Sequence, residues 1–223
     1  MVQKAKMKPI QRIAITVLVT LISFSGYGKA KREQEIYSSL TKELVLNEEK
    51  NLAFSKKRIN EIPKDDTVMI RKAKLVLDLK TRDTAFIVLV KETASYAVKE
   101  EELKKDMPSC DSDMYSDFMI RNKKPSIVNS IEELGNKVVY FTEDDNNKIF
   151  KHADKGWNYF HKIYGLQPII CYSRPGFNAK GDKALIFYSI VNGATSGTGQ
   201  FLLFKKVKGV WINSGECALT WIA

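Results

Sequence analysis

A chain of 223 residues with 44% hydrophobic and 28% charged residues carries enough apolar surface for one good-sized core, which excludes disorder as its main state. Its net charge of +10 suits a nucleic-acid binder until the charge is located. Lys4, Lys6, Lys8, Arg12 and Lys29 supply half of it, with no acidic residue before position 31. Basic pairs elsewhere, such as Lys123 with Lys124 and Lys205 with Lys206, lack interleaved aromatics, so a nucleic-acid partner is excluded.

The N-terminal charge belongs to a signal-peptide pattern. A basic run up to Arg12 is followed by an apolar run over 13–24 and then by Gly26, Gly28 and Ala30. That order predicts cleavage after Gly28 or Ala30 and removal of residues 1–30. A membrane span needs about 20 apolar residues, more than this run offers. The expectation is therefore a secreted or periplasmic chain with no stable membrane span after cleavage. No cysteine stands near the cleavage region to carry a lipid. Export places Cys110, Cys171 and Cys217 in a disulfide-permissive compartment. Cys171 and Cys217 both fall in strand-like segments and form the candidate pair, against the alternative of three free thiols. No two cysteines lie close enough for a zinc site, and no cofactor or metal is expected.

In the mature chain, Ile36, Leu40 and Leu44 predict a helix over 31–46, ended by the polar run 47–51. Lys56, Lys57 and Arg58, followed by Asp65 and Asp66, read as a solvated face. The apolar runs 75–79 and 85–90 fit either strand or helix; a strand is expected near 74–79, and 84–103 is left open, leaning helical toward 100–105. Residues 107–113 are a loop by composition. Asp111 and Asp113 lack the glycine and distal glutamate of a calcium loop. A short helix over 126–134 closed by Gly135, a strand over 138–142 and a turn over 143–147 follow. Asp154 can cap a helix over 157–164 that Gly165 ends. Trp157, Phe160, His161 and Tyr164 share one of its faces.

The remainder is β-rich, with strands expected over 168–173, 183–191, 200–207 and 210–222 and a tight reversal at Lys208 and Gly209. Short connections make neighbouring strands antiparallel. The fold class is α+β: one domain over 31–223, with a C-terminal antiparallel sheet and helices packed on one face.

Five motifs follow one another here: the aromatic helix 156–164, Ser-Arg-Pro-Gly-Phe-Asn at 173–178, Ala-Leu-Ile-Phe-Tyr at 184–188, Gly-Thr-Gly-Gln-Phe-Leu-Leu-Phe at 197–204, and Lys-Gly-Val-Trp at 208–211. Their order resembles that of a family of uncharacterised secreted bacterial proteins. With Tyr37 and the stretch 116–122, the resemblance covers most of 33–223. It implies an exported α+β protein and no particular activity. Pro175 stands where the family has a small apolar residue. Asn192 and Ser196 stand where members carry cysteines, so a disulfide or metal role for that loop is absent here.

Arg174, beside Pro175 and Gly176, can fork onto a carboxylate or phosphate ligand, or brace the turn through a structural acid. His161 would be a general base if Ser173 lay within reach. No Gly-x-Ser-x-Gly elbow supports that, and a packed histidine is the plainer reading. His152 reads as exposed. The glycine-rich stretch 193–199 joins two strands, without the following helix and the Lys-Ser/Thr ending of a phosphate loop, and reads as a flexible hairpin loop. Trp157, Trp211 and Trp221 read as core. Ser173, Arg174, Asn178, Gly197 and Gly199 thus form a candidate ligand-binding rim. The leading expectation is a non-catalytic envelope or extracellular binding module for a small molecule, glycan or protein. The alternatives are a small secreted hydrolase using His161 and Ser173 with Arg174 holding an anion, and a structural envelope protein without a pocket.

Overall fold

The computed structural model describes residues 9–81, 85–151 and 156–222, with side chains from residue 28 on except at 79–81. In chain order the elements are α1 (Pro9–Asn60), α2 (Thr67–Thr81), β1 (Ile87–Val90), α3 (Glu100–Asp106), α4 (Ser112–Arg121) and a 3-10 helix (Glu132–Lys137). Then come β2 (Val138–Phe141), α5 (Glu143–Phe150), α6 (Gly156–Tyr164), β3 (Ile169–Tyr172), β4 (Gly176–Phe177), β5 (Lys183–Gly193), β6 (Ser196–Val207) and β7 (Val210–Ile222).

The strands form one open sheet in the order β2-β1-β3-β5-β6-β7, with β4 paired to the start of β5. From β3 onward the pairing is antiparallel, as the short connections predict. β1 and β2 extend the sheet in parallel beyond that C-terminal part, and the long excursions through α3 to α6 supply the connections that parallel pairs need. The α+β class and the single domain stand.

Strand alternation sorts the core into two faces. On the first, Ile36, Tyr37 and Leu40 of α1 pack on Ile87, Leu89, Ile170, Tyr172, Ile186 and Phe204. On the second, Leu185, Phe187, Phe201 and Leu203 meet Leu103 and Met107, and Met114 and Phe118 of α4. The same face continues at Val88 and Phe141, covered by Ile149 of α5 and Phe160 of α6. Helices therefore cover both faces of the sheet. The aromatic helix α6 packs on the parallel end, not on the antiparallel strands.

Several local expectations are corrected. The helix expected to end at 47–51 runs on to Asn60, because no glycine or proline interrupts it before Pro63. The strand expected near 74–79 lies inside α2. The open stretch divides into β1, an extended segment and α3, so the helical leaning over 100–105 holds. The loop expected over 107–113 ends early, with α4 starting at Ser112. No α-helix forms over 126–134; only the 3-10 turn appears, with Gly135 at φ 51°. The expected turn at 143–147 is the first part of α5. Its acids mark a helix start: the Thr142 hydroxyl accepts the Asp145 N–H at 3.2 Å, and the Asp145 carboxylate accepts the Thr142 N–H at 3.0 Å. Gly165, at φ 68°, ends α6 as expected, and its N–H donates to the His161 carbonyl at 3.1 Å. His152 and Asp154 lie outside the described residues.

The candidate disulfide is also corrected. β3 and β7 are separated by β5 and β6, so Cys171 and Cys217 stand three strand spacings apart, roughly 14 Å at about 4.8 Å each. A disulfide needs Cα atoms within about 7 Å, and all three cysteines are free thiols. Among the described residues no helix is long and apolar enough to cross a membrane.

Candidate functional site

The stretch 173–178 continues from the end of β3. Ser173 is fully buried. Its N–H donates to the Phe187 carbonyl, extending the β3–β5 ladder, and its hydroxyl accepts the Phe187 N–H at 2.9 Å and donates to the Arg174 carbonyl at 3.3 Å. The Ser173 carbonyl accepts the Tyr37 hydroxyl at 3.3 Å. This serine seals a strand end, and its hydroxyl is engaged both as donor and as acceptor.

Arg174 is clamped through its backbone by Asn122, which accepts the Arg174 N–H and donates to the Arg174 carbonyl, each at 2.8 Å. Its guanidinium donates to Glu33 at 2.8 Å. The same Glu33 oxygen accepts from Arg121, whose Nε donates to Asp117 at 2.8 Å. Asp117 also accepts the Phe177 N–H at 2.9 Å. Two guanidinium groups and two carboxylates thus join α1 and α4 to the strand end. Of the two roles open to Arg174, its side chain serves the structural one. Arg174 Nε is buried without a partner, which follows from spending the outer nitrogen on Glu33. Arg32 and Arg121 stand over the Phe177 ring at 5.1 and 5.3 Å.

The glycine and asparagine of this stretch have equally structural reasons. A Cβ at Gly176 would stand 2.4 Å from the Phe118 nitrogen, so the close approach of α4 requires glycine. Asn178 Oδ1 accepts the N–H groups of Asp182 and Lys183, both at 3.0 Å, and its Nδ2 donates to Asp182 at 2.8 Å. It ties off the turn into β5.

The other half of the expected rim lies elsewhere. Gly197 and Gly199 belong to β6, and the connecting turn is only Ala194 and Thr195. A Cβ on Gly199 would stand 2.2 Å from Trp221 Nε1, and one on Gly197 3.0 Å from the same indole. Both glycines make room for Trp221 to lie on the strand. Ser173 is bonded to Phe187, and Gly199 and Gly197 pair with Ser189 and Val191, so the glycines lie on the far side of β5, two strand spacings away, roughly 10 Å at about 4.8 Å each. The structure brings Ser173 and Arg174 together at the end of β3, and places Asn178 at the turn into β5 and Gly197 and Gly199 across β5 in β6.

His161 sits on α6 with ring centroids 5.7 Å from Trp157 and 5.9 Å from Phe160. Among the described residues no hydrogen bond links it to Ser173, and no cluster of three or more His, Cys, Asp or Glu side chains could hold a metal ion. Burial pushes the phenols of Tyr37 and Tyr172 above the ordinary tyrosine range. The two rings stack at 5.7 Å, and Thr41 meets the Tyr172 hydroxyl at 3.0 Å. These groups hold α1 to the sheet. No family model, curated protein or solved structure matches the chain.

Beside a smaller groove of about 530 Å³ along α2 past Ile70, Lys74 and Leu75, two larger open grooves are found among the described residues. One, of about 840 Å³, runs beside α1 past Lys31, Glu35, Lys42, Glu133 and Trp211. Several of its charges are engaged: Lys42 pairs with Glu133, and Glu35 accepts from Lys206 at 3.3 Å and from the Trp211 indole at 3.1 Å. The other, of about 810 Å³, lies between the end of α1 and α2, lined by Phe54, Arg58, Ile59, Met69, Ala73 and Val76.

That second groove belongs to an arm formed by residues 50–60 of α1 and by α2, in which no described side chain is buried. Phe54 is 61% exposed, Val68 64% and Leu75 60%. Ile70, Ala73 and Leu77, at i, i+3 and i+7, are half-buried and line the side of α2 toward α1. Val68 with Leu75 and Met69 with Val76, each at i and i+7, form a second apolar face in solvent. Sequence reasoning missed this surface by reading 75–79 as a strand; the two i, i+7 pairs were the signal available.

Proposed function

We propose that this chain is an exported, non-catalytic binding protein of the bacterial cell envelope that engages a protein partner through the arm made by α2 and residues 50–60. One observation carries the reading. Val68, Met69, Leu75 and Val76 are exposed together with Phe54, and contiguous apolar surface of this kind marks interaction sites. Open grooves between helices suit a protein better than a small molecule or glycan, which are held in more enclosed sites. Export is supported by the order of basic run, apolar run and small residues before Lys31 and by the resemblance to secreted proteins. A non-catalytic role is supported by the commitment of the Ser173 hydroxyl to Phe187 and Arg174.

Site-specific photocrosslinking in the producing cells tests this. A photoreactive residue at position 69 should give one defined adduct in the envelope fraction, lost when Val76→Glu is added. Adducts from position 195 alone, or retention of the chain in the cytoplasm, would overturn the proposal.

A further inference from the structure

Resting on that reading of the arm, we infer that the groove between α1 and α2 receives an acidic amphipathic helix of the partner protein. The argument begins with charge. Over 50–61 and 67–78 the arm carries seven cations, Lys50, Lys56, Lys57, Arg58, Arg71, Lys72 and Lys74, against two acids, Glu61 and Asp78. All seven are exposed, and none forms an ion pair with a described residue. Elsewhere Lys42, Lys104, Lys137, Lys183, Lys205 and Lys206 are each paired with a glutamate or aspartate, and unpaired lysines such as Lys105, Lys180 and Lys208 are dispersed. An unpaired cationic field around an apolar trough selects an occupant that is both apolar and anionic.

Shape then decides among the occupants. Phe54, Ile59, Met69, Ala73 and Val76 line the groove between the two helices, with Arg58 from α1 and Lys72 from α2 beside them and Glu61 just past the end of α1. A third helix fills such a trough, its apolar residues at i, i+3, i+4 and i+7 along the floor and its carboxylates against the rims. A second copy of the arm would set the same cations against one another, a like-charge arrangement that association disfavours. A flat anionic bilayer would satisfy the charge and leave the concave floor unfilled.

The test uses the full-length chain and two synthetic helical peptides with the same leucine spacing, one with glutamate and one with lysine at the flanking positions. Fluorescence anisotropy should show the glutamate peptide binding about tenfold or more tightly than the lysine peptide, and weakening as salt is raised. The exposed pair Met69→Glu with Val76→Glu should reduce that binding by about tenfold or more, with the circular dichroism spectrum unchanged. The reversal Arg58→Glu with Lys72→Glu should invert the preference toward the lysine peptide. Equal or absent binding of the two peptides overturns the inference. Wild type and the Met69→Glu/Val76→Glu variant are also compared by sedimentation velocity and by cosedimentation with phosphatidylglycerol-containing vesicles. A change in either, without peptide preference, leaves the arm as a docking surface and replaces the acidic helix by a second copy or a membrane. No difference in any of the three measurements removes both this inference and the reading of the arm.

Discussion

Substituting Glu33 should be the most damaging single change on this chain's polar network. Its carboxylate is 10% exposed and accepts from two guanidinium groups, of which Arg121 is 8% exposed. Glu33→Ala leaves Arg121 with Asp117 alone and removes the ion-pair partner of Arg174. Breaking a buried pair from one side costs about 3–5 kcal/mol, because the remaining charge stays out of water without compensation. With a urea dependence of about 2 kcal/mol per molar, the unfolding midpoint should fall by roughly 1.5–2.5 M. Arg174→Ala should cost less, about 1.5–3 kcal/mol for a lost hydrogen bond to a charged group, since Glu33 keeps Arg121. The double variant should cost less than the sum, as expected for neighbours in one network. Urea titrations followed by tryptophan fluorescence measure all three. A Glu33→Ala variant within about 1 kcal/mol of wild type would refute the bracing role. So would an Arg174→Ala variant of unchanged stability, which would return Arg174 to the status of a ligand-holding residue.

Four further outcomes follow from the same geometry. Gly199→Ala should destabilise by about 1–3 kcal/mol by overpacking, since its Cβ would meet Trp221 at 2.2 Å and Phe187 at 2.8 Å; Trp221→Ala in the same chain should recover part of the loss, and additive costs would refute the contact. Native thiol labelling at pH 8 should modify exposed Cys217 first, while buried Cys110, its thiol pushed up to about 11 by desolvation, reacts only after unfolding; a Cys171–Cys217 link in the peptide map would contradict the strand order. The raised phenols of Tyr37 and Tyr172 give stability that is full below the unfolded value near pH 10 and lost as pH rises through the folded values. Urea midpoints should therefore fall above pH 10, and Tyr37→Phe with Tyr172→Phe should flatten that fall. Asp145, lowered chiefly by its bond from the Thr142 side chain, has the opposite sign: its contribution is present above the ordinary aspartate range and disappears as pH drops below it, and Thr142→Val should remove it.

The legible parts of the fold were those whose residues carry one meaning in any context. Gly165 and the pair Lys208 and Gly209 announced their boundaries because their backbone must take positive φ, where most side chains are strained. The antiparallel strands announced themselves through β-rich composition and short connections. The misread parts depended on long-range pairing or on paired local bonds. The apolar run at 75–79 has no intrinsic preference strong enough to separate a buried strand from a helix that packs on α1. The acids at 143–147 look like a turn until Thr142 is recognised as their cap. β1 and β2 could not be placed as a parallel pair, because their register joins Ile87 to Val138 across 51 residues of helix and loop.

The candidate site failed to be legible for a different reason. Ser-Arg-Pro-Gly-Phe-Asn at 173–178 concentrates residue types that chemistry uses, and the same types are what a crowded strand end needs. A serine there satisfies a backbone N–H, an asparagine closes a turn, a glycine leaves the space that α4 occupies, and an arginine bonds a glutamate from a helix 141 residues away. Glu33 itself gave no sign, since a lone acid in a charged helix is ordinary. These bonds, with only Arg174 Nε left over among the buried side-chain atoms described, anchor α1 and α4 to the strand end. On the arm the accounting runs the other way. Its cations form no ion pair with a described residue, Arg58 alone standing over the Phe54 ring at 5.8 Å, and a helix that buries none of its described side chains gains little from its own chain. The surface whose interactions are unmet, rather than the one richest in reactive residue types, is where this chain has capacity left for a partner.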